Sequence, residues 1–478
     1  MLYPINFKRV LFFVFLLVLS CGGGGGPGTE NFAPGTPLAV DPANPRYFMD
    51  RSGRAVYLTG SHTWANLKDR GTTDPPPPFD FDAYLAFLKK NNHNFIRLWT
   101  LEETNYADPE KDKHFYMSPS AWARSGPGLA LDGKPKFNLE VFNEAYFTRL
   151  RSRVAAARAN GIFVSVMLFD GWNALNTGRD KSKWKGNPFN AENNVNGIDG
   201  DPDKSGIGHE TNTLSVPAIT RIQEAYVKKV IDTVGDLENV LWEIANEGHA
   251  GSVEWQYHFI DFVKGYERTK KPLRHPVGLT FIEPHGDNSE LFESNADWIS
   301  PGARTYYTNP EEPYKVDPPE ADGGKVIILD TDHLWGVGGD HKWVWKSFLR
   351  GYNPIFMDPY EEEYDYESGE KEEFDVVRKS MGQTLSYANR VDLRNMLPAG
   401  RLASTKYCLA KAGSEYLVYL PERGSVSMNL GDAEGEFTIE WFSPVEGSTV
   451  NGEPVQGGGE VKLVSPFEGD AVVYLRKN

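Results

Sequence analysis

The sequence predicts a (β/α)8 barrel, an α/β fold of the TIM-barrel type, followed by a small all-β sandwich domain. Three observations carry this reading. From Ala55 onward short apolar strands alternate with amphipathic helices, and such alternation implies a parallel sheet. The strands number eight over roughly 350 residues, a span that suits an eight-stranded barrel with insertions. Near residue 398 the helices stop and short strands recur at roughly ten-residue spacing, as in a sandwich. No glycine-rich phosphate fingerprint follows the first strand, which argues against an open nucleotide-binding sheet.

Each element has its own signal. Residues 47–58 read as a hairpin around Arg51-Ser52-Gly53, its second arm running on toward Gly60. Phe81, Tyr84, Leu85 and Leu88 recur at helical spacing within 79–92. Residues 94–99 are a short apolar strand. A helix over 142–160 closes on Gly161, and a strand over 162–169 follows. The stretch 173–213, rich in Asn, Gly, Asp and Lys, is expected to be a long loop over the barrel mouth. A helix over 219–234 stops at Gly235, and 240–245 is the fourth strand. Residues 253–266, 343–350 and 374–387 read as helices. Residues 277–281, 298–300, 326–329 and 354–357 read as strands. In the sandwich, strands are expected over 416–420, 425–430, 437–442, 461–463 and 471–475.

Composition narrows the function. Acidic residues outnumber basic ones 66 to 50, a net charge of −16, which argues against a nucleic-acid partner. The amino terminus reads as a targeting segment. Lys8 and Arg9 precede an apolar run from Leu11 to Leu19, too short to span a bilayer as a helix. Val18-Leu19-Ser20-Cys21 resembles the bacterial lipoprotein processing box, which implies lipidation of Cys21. The glycines at 22–26 form a flexible tether. The expected organisation is a signal peptide over 1–20, a tether over 21–45, a barrel over 46–397 and a sandwich over 398–478. That places the protein outside the cell, anchored to a membrane through Cys21 at the bacterial outer membrane or cell surface. With Cys21 lipidated, Cys408, the other of the 2 cysteines, has no disulfide partner and is expected to be a buried small hydrophobe.

Active sites of such barrels lie at the carboxyl ends of the strands. Polar and aromatic residues there are His62 and Trp64 after the first strand, Arg97, Trp99 and Glu102 at the second, and Asp170 and Trp172 at the third. Asn246, Glu247 and His249 follow the fourth strand, and Glu283 and His285 the fifth. Tyr306 and Tyr307 follow the sixth, Asp330, Asp332, His333 and Trp335 the seventh, and Asp358 and Tyr360 the eighth. Carboxylates and aromatics predominate, a set suited to moving protons and stacking a sugar ring. Glycoside hydrolysis needs two carboxyl groups flanking the scissile bond, one held protonated. Strand alternation puts Glu243, Ala245 and Glu247 on one face, with Glu247 at the rim. Burial beside a second carboxylate would raise its pKa, as an acid requires. Glu243 reads as a structural partner for Arg97.

Arg97, the Asn246-Glu247 pair and a carboxylate after the seventh strand resemble the large clan of barrel glycoside hydrolases with catalytic groups on strands four and seven. The resemblance covers residues from about 46 to 395 and implies Glu247 as acid/base and Asn246 on the sugar 2-hydroxyl. It also implies Arg97 as support for the nucleophile and a tyrosine, Tyr307, touching it. Where the clan usually carries Glu, this chain reads Asp330-Thr331-Asp332. Counting from the strand start selects Asp330. A pattern seen in relatives selects Asp332, which lies nearer the mouth and is favoured. The expected substrate is a polysaccharide or oligosaccharide, with His62, Trp64, Trp99, Asp170, Trp172, His333 and Trp335 among its contacts. No cofactor and no metal are expected: there is no His-x-His after the first strand, and the aspartates of 196–203 do not match a calcium-hand loop. A metal-dependent hydrolase and a non-catalytic glycan-binding lipoprotein are the alternatives. The carboxyl-terminal module is similar to one labelled collagen-binding in exported bacterial proteins, a label from which no collagen binding follows.

Overall fold

The structure is a computed structural model, described here for residues 36–108, 112–174, 182–283, 288–303, 313–360 and 370–478. The targeting segment with Cys21, and likewise His285, Tyr306 and Tyr307, lie outside the described residues.

Eight parallel strands form the central sheet: β1 (Gly60–His62), β2 (Phe95–Leu98), β3 (Phe163–Asp170), β4 (Val240–Asn246), β5 (Val277–Thr280), β6 (Trp298–Ser300), β7 (Val326–Asp330) and β8 (Asn353–Met357). From β2 to β8 each strand pairs with the next, and β8 returns to β1 with Met357 opposite His62. Between β1 and β2 the barrel is closed by Asn94. Its backbone N–H donates to the Thr59 carbonyl (3.1 Å), and its side-chain oxygen accepts from Thr59 N (2.9 Å). A Cβ on Gly60 would stand 2.4 Å from the Phe95 carbonyl oxygen, so glycine permits this close approach. The expected first strand was drawn from Ala55. Instead Ala55–Val56 belongs to a small antiparallel sheet with Phe48–Met49 and Ala39–Val40, and the barrel strand begins at Gly60.

Helices α1 (Phe81–Lys90), α2 (Glu144–Ala159), α3 (Pro217–Val234), α4 (Val253–Lys270), α5 (Asn288–Glu293), α6 (His341–Leu349) and α7 (Glu370–Arg390) alternate with the strands. In α1 the buried residues are Phe81, Tyr84, Leu85 and Leu88, the face read from the sequence. Asp80 caps it, accepting from Ala83 N at 2.9 Å, and Asp340 caps α6 through Trp343 N at 2.7 Å.

Strand alternation layers the barrel interior. Phe95, Leu241, Val326, Ile328 and Ile355 fill the lower part with apolar atoms. Two residues further along, Arg97, Glu243 and Asp330 replace them with buried charge. Above lie Trp99, Met167 and Met357, with Trp64 and Trp172 half-buried against them.

Two insertions differ from expectation. Residues between β2 and α2 hold strand Lys113–Ser118, which pairs with Asn105–Asp108 on one side and Asp69–Gly71 on the other, and a hairpin of Trp122–Leu129 with Pro135–Phe142. The first arm, with Gly126-Pro127-Gly128, carries no apolar alternation, whereas the second has Phe137, Leu139 and Val141 between polar residues, with Phe137 and Leu139 buried. The stretch 173–213, expected as one long loop, contains a turn of helix over Ser182–Lys185 and buries Trp184 and Phe189. Its asparagines serve the backbone: Asn194 donates to the carbonyls of Pro188, Asn190 and Ile198.

The carboxyl-terminal sheet runs, in spatial order, Leu397–Pro398, Cys408–Lys411, Glu415–Leu420, Ala471–Lys477, Glu436–Ser443 and Ser448–Gln456. A second sheet pairs Ser425–Asn429 with Glu460–Val464. Cys408–Lys411 and Ser448–Gln456 were not expected; the latter is exposed along most of its length. Cys408 is buried, and burial pushes its thiol pKa up. One face of the larger sheet, with Leu417, Tyr419, Phe442 and Tyr474, shares an apolar cluster with Trp345 and Phe348 of α6 and Leu385 and Tyr387 of α7.

Candidate active site

Arg97 organises the site. Its Nε and Nη2 donate to the two oxygens of Glu243 (3.0 and 2.5 Å). Nη1 donates to Asp330 (2.9 Å) and Asp332 (3.1 Å), and Nη2 also to Asn246 Oδ1 (2.6 Å). Glu243 further accepts from Ser165 Oγ (3.1 Å), which fits the structural role expected of it. A planar guanidinium with five N–H groups can hold these partners at once, whereas a lysine could not.

Two histidines complete the network. Trp99 Nε1 donates to His62 Nδ1 (3.0 Å), which leaves Nε2 to carry the proton and donate to Asp330 Oδ1 (3.0 Å). Trp99 is buried, so it orients His62 and is no exposed sugar platform. Ser300 Oγ lies 2.8 Å from His333 Nδ1, and His333 Nε2 donates to Asn246 Oδ1 (3.2 Å). Burial, reinforced by Arg97, lowers the His333 pKa to about 3 and keeps the ring neutral.

The two aspartates differ sharply. Asp330 has no exposure. Burial alone would raise its pKa, but His62 and Arg97 hold it well below the usual carboxylate range. Asp332, 6% exposed, is pushed to about 6 by burial and by the Asp330 charge, against the pull of Arg97. Asp332 therefore faces the cleft and Asp330 anchors the network below it.

Glu247 is half-buried, just past the end of β4. Its pKa is raised well above the ordinary value, by burial first and then by Asp332, Glu283 and Asp170. The expected single face of Glu243, Ala245 and Glu247 is not what the structure contains. Ala245 lies in the helix-facing cluster with Phe169, Trp255 and Phe259, while Asn246 turns inward to Arg97. The same slip occurs across the ladder in β3, where Phe169 opposite Ala245 packs on Trp255 and Phe259 (centroids 4.9 Å from each). Glu247 then reaches the cleft through left-handed backbone, φ 46°, a conformation that costs a non-glycine residue about 1–3 kcal/mol. Gly171 makes room for it: a Cβ there would lie 2.7 Å from the carbonyl oxygens of Asn246 and Glu247.

The remaining candidates divide. Asp170 is buried, its pKa raised by burial and by Glu103 and Glu102. Trp172 is half-buried and lies beneath Lys183, whose charge acts on both Asp170 and Glu247. Trp335 leans edge-on against Trp343, 5.5 Å between centroids. Asp358 is tied to Arg378 (2.7 Å) and supports the fold. His249 accepts from Gly251 N (3.1 Å) and stacks on His209, away from the carboxylates' network. Sequence reading gave no weight to Lys183, and it noted Glu283 without assigning it a role. Glu283 follows β5, its N–H donating to the Gly248 carbonyl (2.9 Å); burial and Asp332 push its pKa to about 7. Its place after a barrel strand was the only available signal.

This arrangement can hold a proton on Glu247 within electrostatic reach of an ionisable Asp332. Solved structures with the same barrel include a protein described as a glycoside hydrolase, TM-score 0.64 at 10% identity, over 94% of this chain and 99% of that one. Another is a glycoside hydrolase family 5 protein from Bacteroides vulgatus ATCC 8482, TM-score 0.60 at 12% identity, over 92% of this chain and 93% of that one. The chain shares the glycoside hydrolase barrel fold. Two sequence families match parts of it: a domain of unknown function (DUF6298) over residues 100–283, and the "Putative collagen-binding domain of a collagenase" over residues 394–474. No curated protein matches it in sequence. At such identities the likeness carries the fold, and the chemistry rests on the residues.

Proposed function

We propose that the protein is a glycoside hydrolase acting on O-glycosidic bonds of polysaccharide or oligosaccharide substrates, with Glu247 as acid/base and Asp332 as nucleophile. The observation that carries this is the Arg97 contact on one of two carboxyl groups that act on each other: both pKa values are raised, but Asp332 has the guanidinium beside it. Glu247 is driven toward the protonated form, while Asp332 contacts the Arg97 guanidinium, which favours its ionised form. Glu247 delivers its proton to the leaving oxygen as Asp332 attacks the anomeric carbon. Glu247, then ionised, deprotonates the water that releases the sugar. Asn246, fixed between Arg97 and His333, has its amide nitrogen left to donate to a sugar hydroxyl. The two-step course predicts that the first product released has the same anomeric configuration as the substrate, read by NMR before mutarotation. Inverted product would make Asp332 a base instead.

The pH dependence follows from the same pair. Asp332 must be ionised, so kcat/KM should rise with pH through about 6. Glu247 must be protonated, so the rate falls again above its raised pKa. The limbs belong to the coupled cluster rather than to single groups. A rate already maximal and flat at pH 4 would remove Asp332 from the role.

A metal-dependent reading has one observation in its favour: ligand atoms of Asp330, Asp332 and His333 all lie within 4.8 Å of one another. Against it, the Arg97 guanidinium already bridges both aspartates. Chelator treatment with elemental analysis separates the two readings.

Export and anchoring are part of the proposal, supported by the processing box ending at Cys21. Metabolic labelling with a tagged fatty acid should mark the protein and fail for Cys21→Ser. Equal labelling of both would remove the anchor.

A further inference from the structure

Glu283 is a carboxyl group beside Glu247 and Asp332 that the reaction above does not use. It is 6% exposed, and its Oε1 is buried with no hydrogen-bond partner among the described residues. A buried acceptor left without a donor costs about 1–3 kcal/mol, and such exceptions in native proteins call for an explanation. The backbone bond from Glu283 N to Gly248 O sets this side chain beside the residue that follows Glu247. The isolated bridge between His249 and Glu283 fixes the same pairing from the other side. Glu283 acts electrostatically on Glu247 and is itself acted on by Asp332, so it borders the space between the two proposed catalytic groups.

We propose that Glu283 is a specificity-determining residue that accepts a hydrogen bond from a hydroxyl or amino group of the sugar held between Glu247 and Asp332, so that the site takes neutral or amino sugars and rejects uronic acids. This rests on the glycosidase reading. In its ionised form, which prevails above about pH 7, the group offers acceptors only, so its natural complement is a hydroxyl or ammonium donor. A uronate in the same place would bring a full negative charge into a set of carboxyl groups, Glu283, Asp332 and Asp170, whose raised pKa values show that charge is already crowded there, and like charges at short range are strongly disfavoured away from water. The raised pKa values of Glu247 and Glu283 already register that crowding of negative charge.

The test uses the full chain with Glu283→Ala and Glu283→Gln, and aryl glycosides of glucose, glucosamine and glucuronic acid in both anomeric forms. Glu283→Ala should raise KM for neutral or amino glycosides about tenfold or more, with the smaller effect on kcat, since a binding contact is being removed. Glu283→Gln, which keeps an acceptor and loses the charge, should recover much of the neutral-substrate KM and narrow discrimination against the glucuronide. Unchanged KM values and an unchanged preference in both variants, with melting temperatures like the parent's, would overturn the proposal. So would a parent that prefers the glucuronide. If the parent turns over no glycoside, the glycosidase reading fails by itself, and the Glu283 contact is read from melting-temperature shifts with the free sugars. A shift by glucose or glucosamine that Glu283→Ala abolishes sustains the contact; its persistence in that variant, or no shift in the parent, ends it.

Discussion

Glu247→Gln is expected to lower kcat on an unactivated glycoside by roughly 10²–10⁴-fold, the usual contribution of a positioned acid/base. The amide keeps the size of the side chain but cannot give up a proton to the leaving oxygen. The loss should shrink for aryl glycosides whose phenolate leaves readily, because those need little protonation. A small anionic nucleophile such as azide should then restore part of the second step, where no base is needed. The same substitution should make the protein more stable at neutral pH. Glu247 has a folded pKa above the ordinary glutamate value of about 4.5, so ionising it costs folding free energy that is absent below the unfolded pKa and grows as pH rises through and above it. The melting-temperature gain of the variant should therefore be largest near pH 7–8 and vanish below about pH 4.5. A gain independent of pH, or a rate equal to the parent's on every leaving group, would contradict the assignment. Activity obtained at the expense of local stability is the general pattern at sites that hold strained or desolvated groups.

Arg97→Met is expected to be the most damaging single change to the fold. It would leave Glu243 and Asp330, each with no solvent exposure, without their shared counter-charge. Removing one partner of a buried pair costs about 3–5 kcal/mol, a large part of the roughly 5–15 kcal/mol that holds a domain folded. Insoluble expression or a steep loss in urea midpoint should result. Arg97→Lys keeps one charge but not the fork, so it should fold better than Arg97→Met yet lose most activity, because Asp332 and Asn246 lose their orientation. The control is Arg97→Met combined with Glu243→Met, which removes one of the stranded charges. It should recover part of the midpoint while remaining inactive. A single Arg97→Met variant as stable as the parent would mean that the network is solvated rather than sealed.

Much of this site was legible because it obeys two simple rules, strand alternation and the location of barrel chemistry at strand carboxyl ends. Arg97, Glu243, Asp330 and His62 all follow from them, since each lies in a regular stretch of strand. Reading failed where the backbone leaves regular geometry. The paired slip at Phe169 and Ala245 reverses the facing of Asn246 and Glu247, and only the left-handed turn at Glu247 returns its side chain to the cleft. Alternation pointed Glu247 toward the strand ends of the barrel for a reason that does not hold. Trp99 illustrates a second limit: an aromatic at the mouth resembles a platform in sequence, yet its indole N–H is spent on His62. Lys183 and Glu283 owe their importance to neighbours distant in the chain, Asp170 and Glu247 for one, Asp332 for the other, and no local pattern announces that. The antiparallel insertions between β2 and α2 do carry a period of two, Phe115 and Met117 in one strand and Phe137, Leu139 and Val141 in another, but the runs are short and their partner strands Asn105–Asp108 and Trp122–Leu129 have none.

The cluster that joins Trp345, Phe348, Leu385 and Tyr387 to Tyr419, Phe442 and Tyr474 has a consequence for how such chains are assembled. Two outer helices of the barrel have the sandwich as their neighbour where another barrel would present polar side chains to water. A cut between the modules would strip a patch of tryptophan, phenylalanine and leucine from its cover, and large bare patches of that kind make proteins aggregate. The sandwich face that meets the helices is likewise withdrawn from any outside ligand. The module is thus built into the flank of the barrel rather than hung from it like a cargo hook on a linker.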